Sequence, residues 1–208
     1  MLDGDFFTAS GVILRRDLSG EKGMWLKLFL KDAGIVNVTA KKTSGDSEPL
    51  LWGKFNLKKK RKTTNYLIDD VEVVDDMLRL RTRREALLMA FRWGGMVAKF
   101  LEPGQPDDDL LANLYWSMKL LGEPCVPAGV VNWKFLWRWL EGWGLAPDLV
   151  EFYTEQHFKH DEVVLLAKLS MLNANGIWKM FASGRGSNVR EKSFKAAASL
   201  AEKFLNEK

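Results

Sequence analysis

The densest charge in the sequence is the run Lys58-Lys59-Lys60-Arg61-Lys62. Adjacent cations repel one another, so the run resists burial in a packed ladder and suits a solvated hairpin tip. The chemistry it offers there is attraction for a polyanion such as a phosphate backbone. Lys54 lies just upstream, and Lys41-Lys42 closes an earlier alternating segment. Lys41, Lys42, Lys54, Lys58, Lys59, Lys60, Arg61 and Lys62 therefore form the candidate nucleic-acid-binding set. Trp25, Phe29, Trp52, Phe55 and Tyr66 are interleaved with them. Any of these left on an outer face could stack a base, since every base has a π-face. The plainer reading puts each aromatic in the core and makes the lysines a soluble loop.

These residues need a scaffold, and the alternation around them supplies one. Met24, Leu26, Leu28 and Leu30 alternate with Trp25, Lys27, Phe29 and Lys31, the period of two of a half-buried strand. Val36, Val38 and Ala40 alternate in the same way with Asn37, Thr39 and Lys41. In the opening segment Val12 and Leu14 are expected on one face, and Ile13 and Arg15 on the other. The expected strands are Ala9 to Arg16, Met24 to Lys31, Gly34 to Lys41, Trp52 to Lys59 and Thr64 to Val74, with a polar loop from Thr43 to Ser47. Five short strands with lysines at one end suit a small closed barrel of the oligonucleotide-binding kind (OB-fold). Asp69, Asp70, Glu72, Asp75 and Asp76 are expected at the far end of that barrel. There they would repel a polyanion and leave the hairpin tip as its approach.

After residue 80 the period changes. Thr82-Arg83-Arg84-Glu85 reads as a capping box opening a helix that runs to about Leu101, with Leu87, Ala90, Phe91, Gly94, Val97 and Ala98 inward. Pro103 and Gly104 stop it, and Asp107 to Asp109 favour the start of the next helix, which ends at Gly122. A third helix, Ala128 to Trp143, carries Trp133, Trp137, Trp139 and Trp143, with Lys134, Arg138 and Glu141 as a narrow polar strip. It is either the centre of a helical domain or the wall of a groove for an apolar partner, with Lys134 and Arg138 as candidate partner-binding residues. His157 and His160 read as a solvated helix start. Ser183 to Ser187 is a loop, and Asn188 to Leu205 a closing amphipathic helix. The expected class is thus α+β: an OB-fold barrel over residues 1–80 and an all-helical domain over residues 81–208.

Composition narrows the function. The chain has 208 residues, 47% hydrophobic and 28% charged, with a net charge of +4, so a phosphate-bearing partner is allowed though not demanded. Cys125 is the single cysteine, which excludes an internal disulfide and a thiolate zinc site. No stretch is long and apolar enough to span a membrane, and the acidic start does not resemble a secretory signal, so the expected location is the cytoplasm. Motifs for nucleophilic catalysis, dinucleotides or metal hydrolysis are absent. The expectation is therefore a non-enzymatic binder with no cofactor and no metal.

The segments "ASGVILRR", "WLKLFLKDAGIVNVTAKK" and "FNLKKKRKTTNYLIDDVEVVDDM", followed by a helix, resemble in order the bacterial recombination mediator RecO family. In that family a V-L-R strand leads to a strand ending in a D/E-x-G turn, a strand ending in Ala-Lys-Gly, and a barrel that hands over to helices. Here Ala40-Lys41-Lys42 stands at the Ala-Lys-Gly position. The likeness covers Ala9 to about Leu101 and resumes at "GWGLAPDL", Gly142 to Leu149, which is similar to the family's "LGYxPxL". It implies single-stranded DNA as ligand and duplex DNA as a further one, strand annealing, and help in loading recombinase. It also implies two partners, RecR and the single-stranded DNA-binding protein, whose acidic tail would meet the helical domain. Lys134 and Arg138 beside the tryptophans are suited to that tail by chemistry alone and match no family motif. The family commonly places four zinc-binding cysteines after this motif. Glu151, Phe152 and Tyr153 stand there instead, which marks a zinc-free variant. Two competing readings are a protein interaction module built on the tryptophan-rich helix and an RNA-binding barrel.

Overall fold

The computed structural model describes residues 6–19, 23–41, 47–59, 66–184, 186 and 191–207, with Ser19 and Lys41 as backbone alone. Contacts divide the chain into two compact units, residues 1–111 and 112–208.

The first unit is built on five strands: β1 (Phe6–Ser19), β2 (Gly23–Leu30), β3 (Gly34–Lys41), β4 (Trp52–Lys59) and β5 (Tyr66–Asp75). β1 is long enough to pair β4 along its first half and β2 along its second. β2 pairs β3 and β4 pairs β5, all antiparallel, while β3 meets β5 in parallel through Val38–Tyr66 and Thr39–Leu67 alone. The sheet closes on itself in the order β1-β2-β3-β5-β4. Its interior takes one side of each strand: Ile13, Met24, Leu26, Leu28, Leu30, Val36, Val38, Ala40, Phe55 and Leu57. Gly11, paired with both Leu30 and Gly53, must lack a side chain, because a Cβ there would land on the Phe29 carbonyl oxygen.

The opening strand departs from simple alternation. Val12, Ile13 and Leu14 are all buried, since β1 is covered on its outer side as well. A register shift falls between Ile13 and Arg15, and Leu50 and Leu51 hydrogen-bond to Ile13 at 2.7 and 3.1 Å. Helix α2 (Arg84–Phe100) reaches β1 where Gly94 comes against Leu14.

A one-turn helix, α1 (Leu78–Arg81), precedes α2 and corrects the expected capping box. Thr82 is the C-cap of α1 and its hydroxyl donates to the Arg79 carbonyl, so it cannot serve α2. α2 begins after an extended Arg83 that makes no side-chain cap. The buried stripe of α2 is Ala86, Ala90, Trp93, Gly94 and Val97, which turns Phe91 outward against expectation. Beyond α2 the chain returns to β3, where Pro103 bridges Ile35 and the Gly104 amide donates to the Ile35 carbonyl at 3.0 Å. The first unit thus extends past the barrel to Leu111.

The division falls within α3 (Asp108–Leu121), whose first turn is capped by Asp107 accepting from the Leu110 amide at 2.9 Å. The second unit holds α4 (Ala128–Gly142), α5 (Leu149–Glu155), α6 (His160–Met171), α7 (Ala174–Ala182) and α8 (Glu191–Glu207). α4 is its axis. Trp133, Phe135, Trp137, Trp139 and Leu140 are buried, and α8 lays Phe194, Ala197 and Ala201 towards the core. The Trp133 indole donates to the Tyr153 hydroxyl at 2.8 Å, and that hydroxyl donates to the Ala197 carbonyl at 3.2 Å, tying α4, α5 and α8 together. No described helix is long and apolar enough to cross a membrane.

Candidate nucleic-acid interface

Strand register decides which of the expected cations meet. Lys58 and Lys59 end β4 and are exposed, paired across to Leu67 and Tyr66 at the start of β5. β4 and β5 are thus the antiparallel arms expected of the hairpin, whereas Lys60, Arg61 and Lys62, expected at its tip, lie outside the described residues. Lys42 lies outside them too, as do Thr43 to Asp46, Arg185, and Ser187 to Arg190. Lys41 closes β3 opposite Gly23, two residues beyond Thr39, which is itself the partner of Leu67. β3 runs parallel to β5 and so opposite to β4, which points the Lys41 end of β3 away from the Lys58-Lys59 end of β4 and leaves Lys41 two residues along β3 from the Thr39–Leu67–Lys58 line.

Lys54 stands apart. It lies four residues before Lys58, roughly 13 Å along the strand, and is exposed between Ser10 on β1 and Glu72 on β5. A carboxylate directly across a strand pair offsets a lysine, so Lys54 adds little to a positive rim. The placement of the acids also needs correction. Only Asp75 and Asp76 reach the far end of the barrel. Because β5 runs back along β4, Glu72 and Asp70 fall opposite Lys54 and Asn56, midway along the sheet.

One outward row of residues winds around the barrel from the Lys58 end of β4. Register links Phe6 to Lys58, Lys58 to Leu67, Leu67 to Thr39, Thr39 to Trp25 and Trp25 to Asp17. Their neighbours Phe7, Leu57, Tyr66, Ile68, Val38, Met24 and Leu26 all pack inward, which sends this row outward. Of the aromatics named from sequence, Phe29, Trp52 and Phe55 are buried and Tyr66 half-buried against the core, while Trp25 is 39% exposed. The most open aromatic in the row is Phe6, at 59%, with the Lys58 ammonium 4.7 Å above its ring. Phe6 was not among the sequence candidates. The signal was the pair Phe6-Phe7 as one more step of alternation before Thr8, whereas the expected first strand began only at Ala9.

Beside Trp25, Arg15 forks onto Asp17 at 2.8 and 3.0 Å, and Arg16 meets Glu48 at 2.9 Å, so both guanidinium groups on this flank are paired. Lys27 is half-buried between Arg15 and Asn37.

In the second unit the polar strip of α4 divides. Arg138 is exposed and bridges Glu141 at 3.2 Å. Lys134 is 6% exposed, and its ammonium donates to the Ser170 carbonyl in the last turn of α6, so it presents no charge to a surface partner. Burial first, then the Arg138 charge, pushes the Lys134 pKa down to about 8, with Glu141 pulling the other way. His157 and His160 are exposed, and among the described residues no cluster of three His, Cys, Asp or Glu side chains could hold a metal.

No family model matches the chain, and no curated protein sequence matches it.

Proposed function

We propose that this chain binds single-stranded DNA at the lysine-bearing end of its barrel and acts as a recombination mediator of the RecO kind. In this role it brings complementary strands together and helps to load recombinase onto coated DNA. The observation that carries the reading is the register that sets exposed Lys58, beside Lys59 at the end of β4, on one outward row with Leu67, Thr39 and Trp25, with Lys41 two residues along β3 from that row. A closed five-stranded barrel in which β1 pairs both β2 and β4 supports an OB-fold, whose loop-bearing face receives oligonucleotides. The segment between β4 and β5 that holds Lys60, Arg61 and Lys62 is one of the two connections such folds use for that purpose. The helices that follow the barrel accord with the family resemblance in the sequence.

No covalent bond changes in this mechanism. Cations spread over the barrel end neutralise phosphates on one strand, which lowers the repulsion a complementary strand feels on approach and so favours pairing. Trp25, standing out beside the connection from β1 to β2, adds a stacking surface. RecR and the single-stranded DNA-binding protein are the partners proposed, with Arg138 as the remaining candidate contact on the helical unit. Duplex DNA is the proposed second ligand.

A salt titration tests the reading. Each phosphate engaged on a single strand contributes about −0.7 to the slope of log affinity against log salt. Replacing Lys58, Lys59 and Lys60 together with glutamine is expected to flatten that slope by about 2, and to slow annealing of complementary oligonucleotides. Unchanged affinity and slope in the triple variant would overturn the assignment of the barrel end.

A further inference from the structure

Phe6 is held in an unusual position for a phenylalanine. It is the first described residue of β1, paired with Lys58 of β4, and its neighbour Phe7 points into the barrel. Phe7 makes an edge-to-face contact with Tyr66, ring centroids 5.0 Å apart and planes at 82°. A slip of one residue would bring Phe6 inward only by expelling Phe7 and reversing every side chain of the strand. The inward lock on Phe7 therefore fixes Phe6 outside, and 59% of it stays exposed. Leaving so much of an aromatic ring in water forgoes burial energy.

The surroundings of Phe6 are selective. Lys58 stands 4.7 Å over the ring, a cation–π distance that fixes both side chains. The next outward residue across is Leu67, and no acid occupies the Phe6–Lys58–Leu67 part of the row. One row further along, Thr8 donates to Asn56 at 2.5 Å, a neutral pair. An exposed ring with an ammonium over it and, among the described residues of this part of the row, no carboxylate suits a flat ring attached to a phosphate, which can take the ammonium while the ring takes the base.

We propose that Phe6 is the stacking seat for one unpaired base of single-stranded DNA, with Lys58 engaging the phosphate next to that base. The inference rests on the nucleic-acid reading above and extends it, because it fixes the class of ligand at this seat. The bases of a duplex are stacked on one another and paired, so a duplex can use the seat only by turning a base out, at a cost of a few kcal/mol. Phe6 therefore makes the barrel end discriminate for single strands, which the cations alone would not do. The seat lies four strands from Trp25 around the row, roughly 19 Å, so one short oligonucleotide following the row can meet both rings.

The test uses the full chain with a labelled thymidine oligonucleotide of about 12 residues, inside the ~4–16 nucleotides such barrels cover, and a duplex of equal length, by fluorescence anisotropy over a salt series. Phe6→Ala is expected to weaken single-strand binding roughly 5- to 150-fold, leaving duplex binding and the salt slope unchanged. Phe6→Trp should retain affinity, whereas Phe6→Leu, apolar but without a π-face, should not. Circular dichroism melting separates folding from binding, because an exposed ring at a strand start contributes little to stability. Parental affinity in Phe6→Ala or Phe6→Leu overturns the seat alone, as does an equal loss for duplex and single strand. Failure of the parent chain to bind either probe overturns the seat and the proposed function together.

Discussion

Lys134 shows how much one side chain can depend on its setting. The desolvation that pushes its pKa down to about 8 has a thermodynamic counterpart, since the unfolded chain keeps the ordinary value of 10.5. Between those two values the unfolded state binds more protons than the folded one, so stability rises with pH through that window and the penalty is fully felt below it. The gain is on the order of 3 kcal/mol. Tyr153 acts in the opposite sense higher up. Burial raises its phenol above the ordinary value of 10.0, so the unfolded chain ionises first and stability falls as pH rises beyond 10. Urea midpoints are expected to climb from pH 8 to about 10 and then decline, and Lys134→Met should flatten the climb. A flat parental profile would show that the ammonium is solvated. Neither side chain's role is legible in the sequence. Lys134 sits on what reads as a polar strip, and only the arrival of α6 at Ser170 converts that strip into an interior.

Among the elements, β2 and β3 were the most legible, because burial alternates from Met24 to Leu28 and from Val36 to Ala40, while both faces are covered at Phe29 and Ile35. β1 was less so. A strand covered on both sides at Val12 to Leu14 loses its period, and no local pattern announces the helix that covers it. The same limit explains α2, where Trp93 rather than Phe91 faces inward. Helical spacing places both near the apolar side, and the choice between them is made by the neighbour they meet. The turn from β2 to β3 was readable from Ala33-Gly34, and the structure adds a reason for the glycine. Its φ is +69°, and a Cβ would strike the Gln105 backbone of the returning segment. Gly34→Ala is therefore expected to cost about 2–4 kcal/mol, seen as a lowered denaturation midpoint of the barrel. An unchanged midpoint would mean that the segment after α2 does not press on this turn.

For the chain as a whole, the split into sheet and helices was legible because the period of the apolar residues changes after β5. The extent of the first unit was not, since the attachment of α1 and α2 rests on contacts far apart in sequence. The acidic run on β5 was legible as charge but misplaced, because antiparallel return folds it alongside the lysines that precede the tip. Amide exchange across the chain would rank these parts. Within the helical unit the amides of α4 are expected to exchange slowest, since their opening exposes the tryptophan core. Within the barrel the fastest strand amides should lie at Tyr66 and Leu67. There the cylinder is zipped by two parallel residue pairs and one hydroxyl, Thr39 donating to the Tyr66 carbonyl at 3.3 Å. Every other joint between strands is a ladder several pairs long. The cylinder should gape first along that joint, and the lysine-bearing hairpin hangs from one lip of it. The end of β4 that carries Lys58 and Lys59 can then move with β5 about the seven-pair β1–β4 ladder while the remainder of the wall stays shut.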